Sequence, residues 1–82
     1  MKTKMTPIEV IAHFDYDGTP HPLRLRFAKE TIHIEHVVSR SEEKRSGNKM
    51  LCFRCQSEIG GVLKPFDIKF EVRTCKWFLW KM

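Results

Sequence analysis

Apolar and polar residues alternate along most of this chain, and this alternation predicts most of its secondary structure. It is clearest in three segments, whose apolar positions are Ile8, Val10, Ala12 and Phe14; Leu23, Leu25 and Phe27; and Phe66, Ile68, Phe70 and Val72. Because successive side chains of a strand point to opposite faces, each segment predicts a strand with an apolar inner face and a polar outer face. Such strands are typical of an antiparallel sheet with one solvated face.

Three less regular segments predict further strands. They cover residues 31–40, 49–57 and 75–82. The residues expected to share a face are, in the first segment, Ile32, Ile34, His36 and Val38, and, in the second, Leu51, Phe53 and Cys55. No segment carries the apolar stripe of a helix.

Turn-forming residues separate these strands. Residues 15–22 contain an Asp-Gly pair and two prolines, and residues 28–30 are short enough for a hairpin connection. Residues 41–48 are expected to form a polar, charged loop, and Gly60-Gly61 a tight turn. We therefore predict an all-β fold: a six-stranded antiparallel meander curled into a small barrel, with a two-sheet sandwich as the alternative, and the barrel is favoured because closure removes exposed sheet edges. Residues 1–82 form a single domain, with residues 1–6 as a frayed N-terminal arm.

The two tryptophans lie three positions apart in the last strand, so they point to opposite faces. A hairpin turn centred on Arg73-Thr74 places Phe70 opposite Trp77 and sends Trp77 and Leu79 into the core. Phe78, Trp80 and Met82 then face outward. A turn one residue longer would exchange the two sets. The first register is favoured because it sets Glu71 opposite Lys76, a favourable cross-strand pair.

Composition fits a folded domain, with 41% hydrophobic and 30% charged residues. The net charge of +5 is compatible with a polyanionic partner. No apolar run is long enough for a signal peptide or a membrane span, and three cysteines without secretory context predict free thiols in a reducing cytoplasm.

Candidate catalytic and metal-binding residues do not form a site at the level of the sequence. Cys52 and Cys55 have the spacing of a metal or redox pair, but within a strand they face opposite ways, so Cys55 is expected in the core and Cys52 at the surface. A β-bulge would be needed to bring them together. The four histidines are scattered, and no catalytic motif is present. We predict a non-enzymatic protein without a metal or cofactor.

Four stretches resemble a group of short uncharacterised bacterial proteins. They are the run from Ile8 to Asp15, the tripeptides Pro22-Leu23-Arg24 and Phe53-Arg54-Cys55, and the pentapeptide Thr74-Cys75-Lys76-Trp77-Phe78. The resemblance covers most of the chain and implies a compact, SH3-like all-β domain of bacterial cytoplasmic origin. It implies no activity and assigns no functional residues.

Two functions are consistent with these patterns. The first is a nucleic-acid-binding module that uses a basic loop at 40–49 and the basic, aromatic last strand. Its contact residues would be Arg40, Lys44, Arg45, Lys49, Lys76, Phe78, Trp80 and Lys81. The second is a protein–protein or weak self-association module that uses the outward apolar side chains of the last strand, Phe78, Trp80 and Met82.

Overall fold

The computed structural model describes residues 5–81 and shows one antiparallel sheet of seven strands. The strands are β1 (Thr6–Phe14), β2 (Pro20–Phe27), β3 (Glu30–His33), β4 (His36–Arg45), β5 (Asn48–Ile59), β6 (Val62–Glu71) and β7 (Lys76–Lys81). Their order across the sheet is β3-β2-β1-β7-β6-β5-β4. The all-β prediction is confirmed. Over these residues, no helix is long and apolar enough to cross a membrane.

The prediction of six strands in a closed barrel is corrected in two respects. The segment predicted as one strand over 31–40 is divided, because β3 ends at His33 and β4 begins at His36. These two strands lie at opposite edges of the sheet, and only Ile34 and Glu35 connect them. The sheet therefore has to curl strongly to bring its edges near each other, yet the edges do not pair and the barrel stays open.

Ser57 of β5 forms hydrogen bonds with the segment that joins β3 to β4. Its buried hydroxyl donates to the carbonyl of His33 at 2.5 Å and accepts the N–H of Glu35 at 3.4 Å. The N–H of Glu58 donates to the carboxylate of Glu35 at 2.7 Å. At the crossing between β3 and β4, β5 thus bonds the carbonyl of His33 and the N–H of Glu35, whereas the N–H of Ile34 donates to the carbonyl of Leu23 in β2.

The predicted loop at 41–48 is also corrected, because β4 continues to Arg45 and a two-residue turn leads directly into β5. The turn residues Ser46 and Gly47 have φ values of 49° and 82°, the left-handed conformation of the tight hairpin turns that suit twisted strands. Charged residues are tolerated in this strand because β4 is at an edge of the sheet and its side chains reach solvent.

The register predicted for the last hairpin is confirmed. Phe70 lies opposite Trp77, and Ile68 lies opposite Leu79. The turn has four residues instead of two, and adding two residues leaves every side chain on its predicted face. Trp77 packs in the core with ring centroids 4.7 Å from Phe70 and 5.6 Å from Phe53.

Other inward positions were predicted correctly only in part. The core cluster consists of Leu25, Ile32, Phe53, Cys55, Phe66, Ile68, Phe70, Trp77 and Leu79. Leu23 is half-exposed and Pro22 is buried in its place, because a bulge opposite Ile11 and Ala12 shifts the register of β2. A second irregularity, between Val37 and Ser39, leaves Val38 exposed, and His36 is also exposed.

Two predictions concern residues at the ends of the chain. Most of the frayed arm predicted for residues 1–6 lies outside the described residues, although Thr6 already belongs to β1 and pairs with Leu79. Met82, predicted to face outward, lies outside them too.

Candidate nucleic-acid interface

Two turns bring positive charge to one end of the sheet. The N–H of Val72 in the β6–β7 turn donates to the carbonyl of Lys49 at 3.2 Å, just beyond the β4–β5 turn. Glu71 pairs with both Met50 of β5 and Lys76 of β7, so the two turns are neighbours. We call this region the basic end. Its exposed cations are Lys44, Arg45, Lys49, Arg73 and Lys76.

The carboxylates near the basic end are mostly engaged in other contacts. Glu42 lies 3.6 Å from the ammonium of Lys49, and Glu43 accepts a hydrogen bond from Lys69. Glu71 accepts from the amide of Asn48 at 2.9 Å and from the hydroxyl of Thr74 at 2.6 Å, and these hydrogen bonds, that of Thr74 first, lower its pKa.

Four of the five cations at the basic end form no salt bridge with any residue from 5 to 81. These are Lys44, Arg45, Arg73 and Lys76. The five cations of the two turns therefore outnumber the nearby carboxylates of Glu42, Glu43 and Glu71.

Alternation along the strands divides the predicted contact residues between the two faces of the sheet. Lys44 and Lys49 are cross-strand partners on the face that carries Phe53, whereas Arg45 and Lys76 belong to the opposite, outer face. A ligand that contacts all four must therefore bind across the end of the sheet. Arg73, in the neighbouring turn, was missed because the predicted contacts were taken only from the 40–49 loop and the last strand, although a meander places both turns at the same end of the sheet.

Arg40 and Lys81 are not part of this group. The guanidinium of Arg40 lies 2.9 Å from Nδ1 of His21 and 5.8 Å from the ring centroid of Phe53, about five residues along β4 from the turn. Lys81 pairs with Asp67, near the opposite end of β7. The predicted set is thus only partly assembled by the fold.

Trp80 is less accessible than the sequence suggests. The ammonium of Lys69 stands 3.8 Å from the centroid of its ring and 2.7 Å from a carboxylate oxygen of Glu43. Lys69 is only 8% exposed, because neighbouring side chains cover its stem and its charge is paired with Glu43 and the ring. One face of Trp80 is therefore already occupied by a cation.

A small apolar cluster surrounds Lys69 on the outer face, which the alternation predicts to be wet. Met50 is 5% exposed there, and Phe78 and Trp80 are half-buried. A shallow cavity of about 160 Å³ opens beside them. The cavity is lined by Met5, Glu43, Arg45, Asn48, Met50, Lys69 and Trp80. Met50 was missed because alternation with Leu51 and Phe53 places it on the outer face, which was expected to be solvated.

Cys52 and Cys55 lie on opposite faces of β5, as expected for residues three positions apart in a strand. Cys55 is completely buried, and burial raises the pKa of its thiol to about 12. Cys52 lies half-buried on the opposite face, where burial first and the nearby Glu43 second raise its pKa. The two sulfurs therefore do not share a site.

The histidines are partly assembled around one carboxylate. Nε2 of His21 lies 2.8 Å and Nε2 of His13 lies 3.4 Å from the oxygens of Asp15. Across residues 5–81, no cluster of three or more His, Cys, Asp or Glu side chains is arranged to hold a metal ion.

No protein-family model matches this chain, and neither a curated protein nor a solved structure matches it. The geometry and the charge of the surface therefore carry the functional argument.

Proposed function

We propose that this protein is a non-enzymatic binding module that contacts the phosphate backbone of nucleic acid through its basic end. The observation that supports the proposal is the convergence of Lys44, Arg45, Lys49, Arg73 and Lys76 at two neighbouring turns. Cations that neutralise phosphates release condensed counterions, which makes the binding favourable and dependent on salt. The net charge of +5 acts in the same direction at long range.

The aromatic residues have a smaller part in this proposal than the cations. Stacking of a base requires an accessible ring face, and Lys69 covers one face of Trp80. Binding is therefore expected to be governed by phosphate contacts and to show little sequence preference.

The test is a titration of fluorescently labelled single-stranded DNA and RNA, followed by anisotropy. The double variant Lys44→Glu with Arg45→Glu should weaken binding at least tenfold at about 50 mM salt, because two phosphate contacts become repulsive. The slope of log K against log salt should also fall in magnitude by about 1.4 for single strands.

The matched control is Lys29→Glu with Lys64→Glu, which makes the same change of charge at two exposed positions away from the basic end, one in the β2–β3 turn and one on β6 opposite Ser57. It should weaken binding much less than the Lys44 and Arg45 variant. Failure of the unmodified protein to bind at about 50 mM salt contradicts the proposal, as does an equal loss in both double variants.

A second candidate function is a protein-binding module that uses Phe78 and Trp80. Its support is that both side chains keep part of their surface exposed on the outer face. Because β7 lies in the middle of the sheet, such a partner would pack on the face of the strand instead of adding a strand beside it. Loss of partner capture in Trp80→Ala, with nucleic-acid binding unchanged, would favour this function.

The SH3-like fold and the bacterial cytoplasmic origin stay predictions that rest on the resemblance alone.

A further inference from the structure

The long edge strand β4 offers a pairing surface that the proposed function does not use. It has ten residues, and within the described part of the chain it pairs on one side only, with β5. The opposite edge is the four-residue strand β3. An unpaired edge presents backbone N–H and C=O groups that can template another strand.

The turn between β4 and β5 determines which backbone groups are presented. In a two-residue hairpin turn, the flanking residues, here Arg45 and Asn48, form a hydrogen-bonded pair. Hydrogen-bonded and non-hydrogen-bonded pairs then alternate along an antiparallel ladder. Glu43 and Ser41 therefore bond to β5, whereas the N–H and C=O groups of Arg40, Glu42 and Lys44 point away from the sheet.

We propose that two copies of this chain form a dimer by antiparallel pairing of their β4 strands about a twofold axis through Ser41. In this register Arg40 of one copy lies opposite Glu42 of the second, and the symmetry repeats the contact. Both residues carry outward backbone groups, so each pair exchanges N–H···O=C bonds and adds a cross-strand ion pair on the same face. The two sheets then join into one.

Neighbouring registers that keep each face of the two sheets continuous are less favourable. An axis through Glu42 places the two copies of Glu42 opposite each other and Arg40 opposite Lys44, so like charges repel at each position. An axis through Arg40 places the two copies of Arg40 opposite each other, which is also repulsive. An axis through Glu43 pairs a segment of equal length and sets Glu42 opposite Lys44, but it brings the two Glu43 carboxylates together at its centre. Charges on an edge strand usually prevent association, but here their order selects one register.

Arg40 is already held at this edge by other parts of the fold. One of its guanidinium nitrogens lies 2.9 Å from Nδ1 of His21, whose Nε2 lies 2.8 Å from Asp15. A guanidinium carries five N–H donors, so the bond to His21 leaves donors for a carboxylate of the second copy. The fixed side chain loses less conformational freedom when the dimer forms.

The pairing is short. The irregularity between Val37 and Ser39 interrupts the ladder, so in the register about Ser41 the segment from Ser39 to Glu43 supplies the contact. A short strand pair buries far less surface than a standard interface, so the dimer should be weak and should form as concentration rises.

The test is sedimentation velocity without nucleic acid, at protein concentrations from about 1 μM to about 1 mM. Arg40→Glu and Glu42→Arg should each raise the dimer dissociation constant about tenfold, because each sets like charges opposite each other twice. The double variant that carries both changes exchanges the charges and should restore the dimer. Lys64→Glu, an exposed change on β6, is the control and should leave the dimer unchanged.

Amide hydrogen exchange measured by NMR gives a second readout that needs no variant. The amides of Arg40 and Glu42 should become protected as concentration rises, while those of Glu43 and Ser41, bonded to β5, stay protected throughout. A monomer up to about 1 mM overturns the proposal. So does a dimer that both single variants leave unchanged, or a double variant that fails to recover it while retaining its unfolding transition.

Discussion

At the residue scale, the three cysteines show how one residue type acquires three environments from its position in the sheet. Cys55 is in the core, Cys52 is half-buried on the outer face, and Cys75 is exposed in the β6–β7 turn. The nucleophile in thiol chemistry is the thiolate, so both burial and a raised pKa slow the reaction.

Thiol reactivity should therefore separate the three residues. With a disulfide reagent at about pH 8, Cys75 should react first, Cys52 more slowly, and Cys55 only after unfolding, because its pKa is raised to about 12. The Cys75→Ser variant should lack the fast phase. Rapid reaction of Cys55 in the folded protein would contradict its buried position.

Lys69 and Glu43 illustrate how a charge is held on a partly apolar face. The hydrogen bond from Lys69 lowers the pKa of Glu43 below its usual value of 4.5, against the opposing effect of burial. The resulting stabilisation is fully present above pH 4.5 and is lost as the pH falls through the lowered pKa of the folded state.

Glu43→Gln should accordingly reduce the difference in unfolding free energy between neutral and acidic solution, measured by urea denaturation. The expected reduction is less than about 1 kcal/mol, because the carboxylate is more than one-third exposed and solvent screens the pair. Glu30→Gln, which removes an exposed carboxylate on β3, is the control. An equal reduction in both variants would show that Glu43 has no special role.

At the element scale, the turns fix the registers, and the β2–β3 turn carries the most strain because both of its central residues are left-handed and neither is glycine. Ala28 and Lys29 connect β2 to β3 with φ values of 52° and 65°, a conformation that residues other than glycine adopt at a cost. The equivalent turn between β5 and β6 uses Gly60 and Gly61.

Replacement of Ala28 by Asn together with Lys29 by Gly should therefore stabilise the protein by about 1 kcal/mol, because this pair suits the same turn type. The gain should appear as a higher urea midpoint with an unchanged denaturant slope. Gly61→Ala, at a φ of 80°, should act in the opposite direction by a similar amount. A loss of stability in the first variant would mean that the Ala28-Lys29 turn is not strained.

At the scale of the whole molecule, the curl of the sheet depends on the contact between β5 and the crossing from β3 to β4. Ser57→Ala removes the hydroxyl that donates to the carbonyl of His33 and leaves a partly buried acceptor without that bond. The expected loss in unfolding free energy is about 1–3 kcal/mol. Ser39→Ala, on the exposed edge of β4, should change it by less than about 0.5 kcal/mol. Equal effects of the two variants would show that the crossing does not depend on Ser57.

The sequence by itself determined the all-β class, most of the strand positions, the inward faces of β5 and β6 and the register of the last hairpin. These features depend on local alternation and turn length, and in the last hairpin any even number of turn residues sends Trp77 into the core. The sequence also identified Lys44, Arg45, Lys49 and Lys76 as candidate contacts through their charge.

Only the tertiary structure decided which of these elements are neighbours. In the structure, the segment predicted as one strand over 31–40 is divided at Ile34 and Glu35, and β7 lies in the centre of the sheet. Lys69 covers one face of Trp80, and Arg40 and Lys81 lie away from the basic end. None of this is encoded in alternation, because pairing between distant strands depends on how the whole sheet curls to bury its core. The strand order leaves β4 at an edge, and the pairing of β5 with β6 sets the two basic turns side by side, and both proposals depend on those positions.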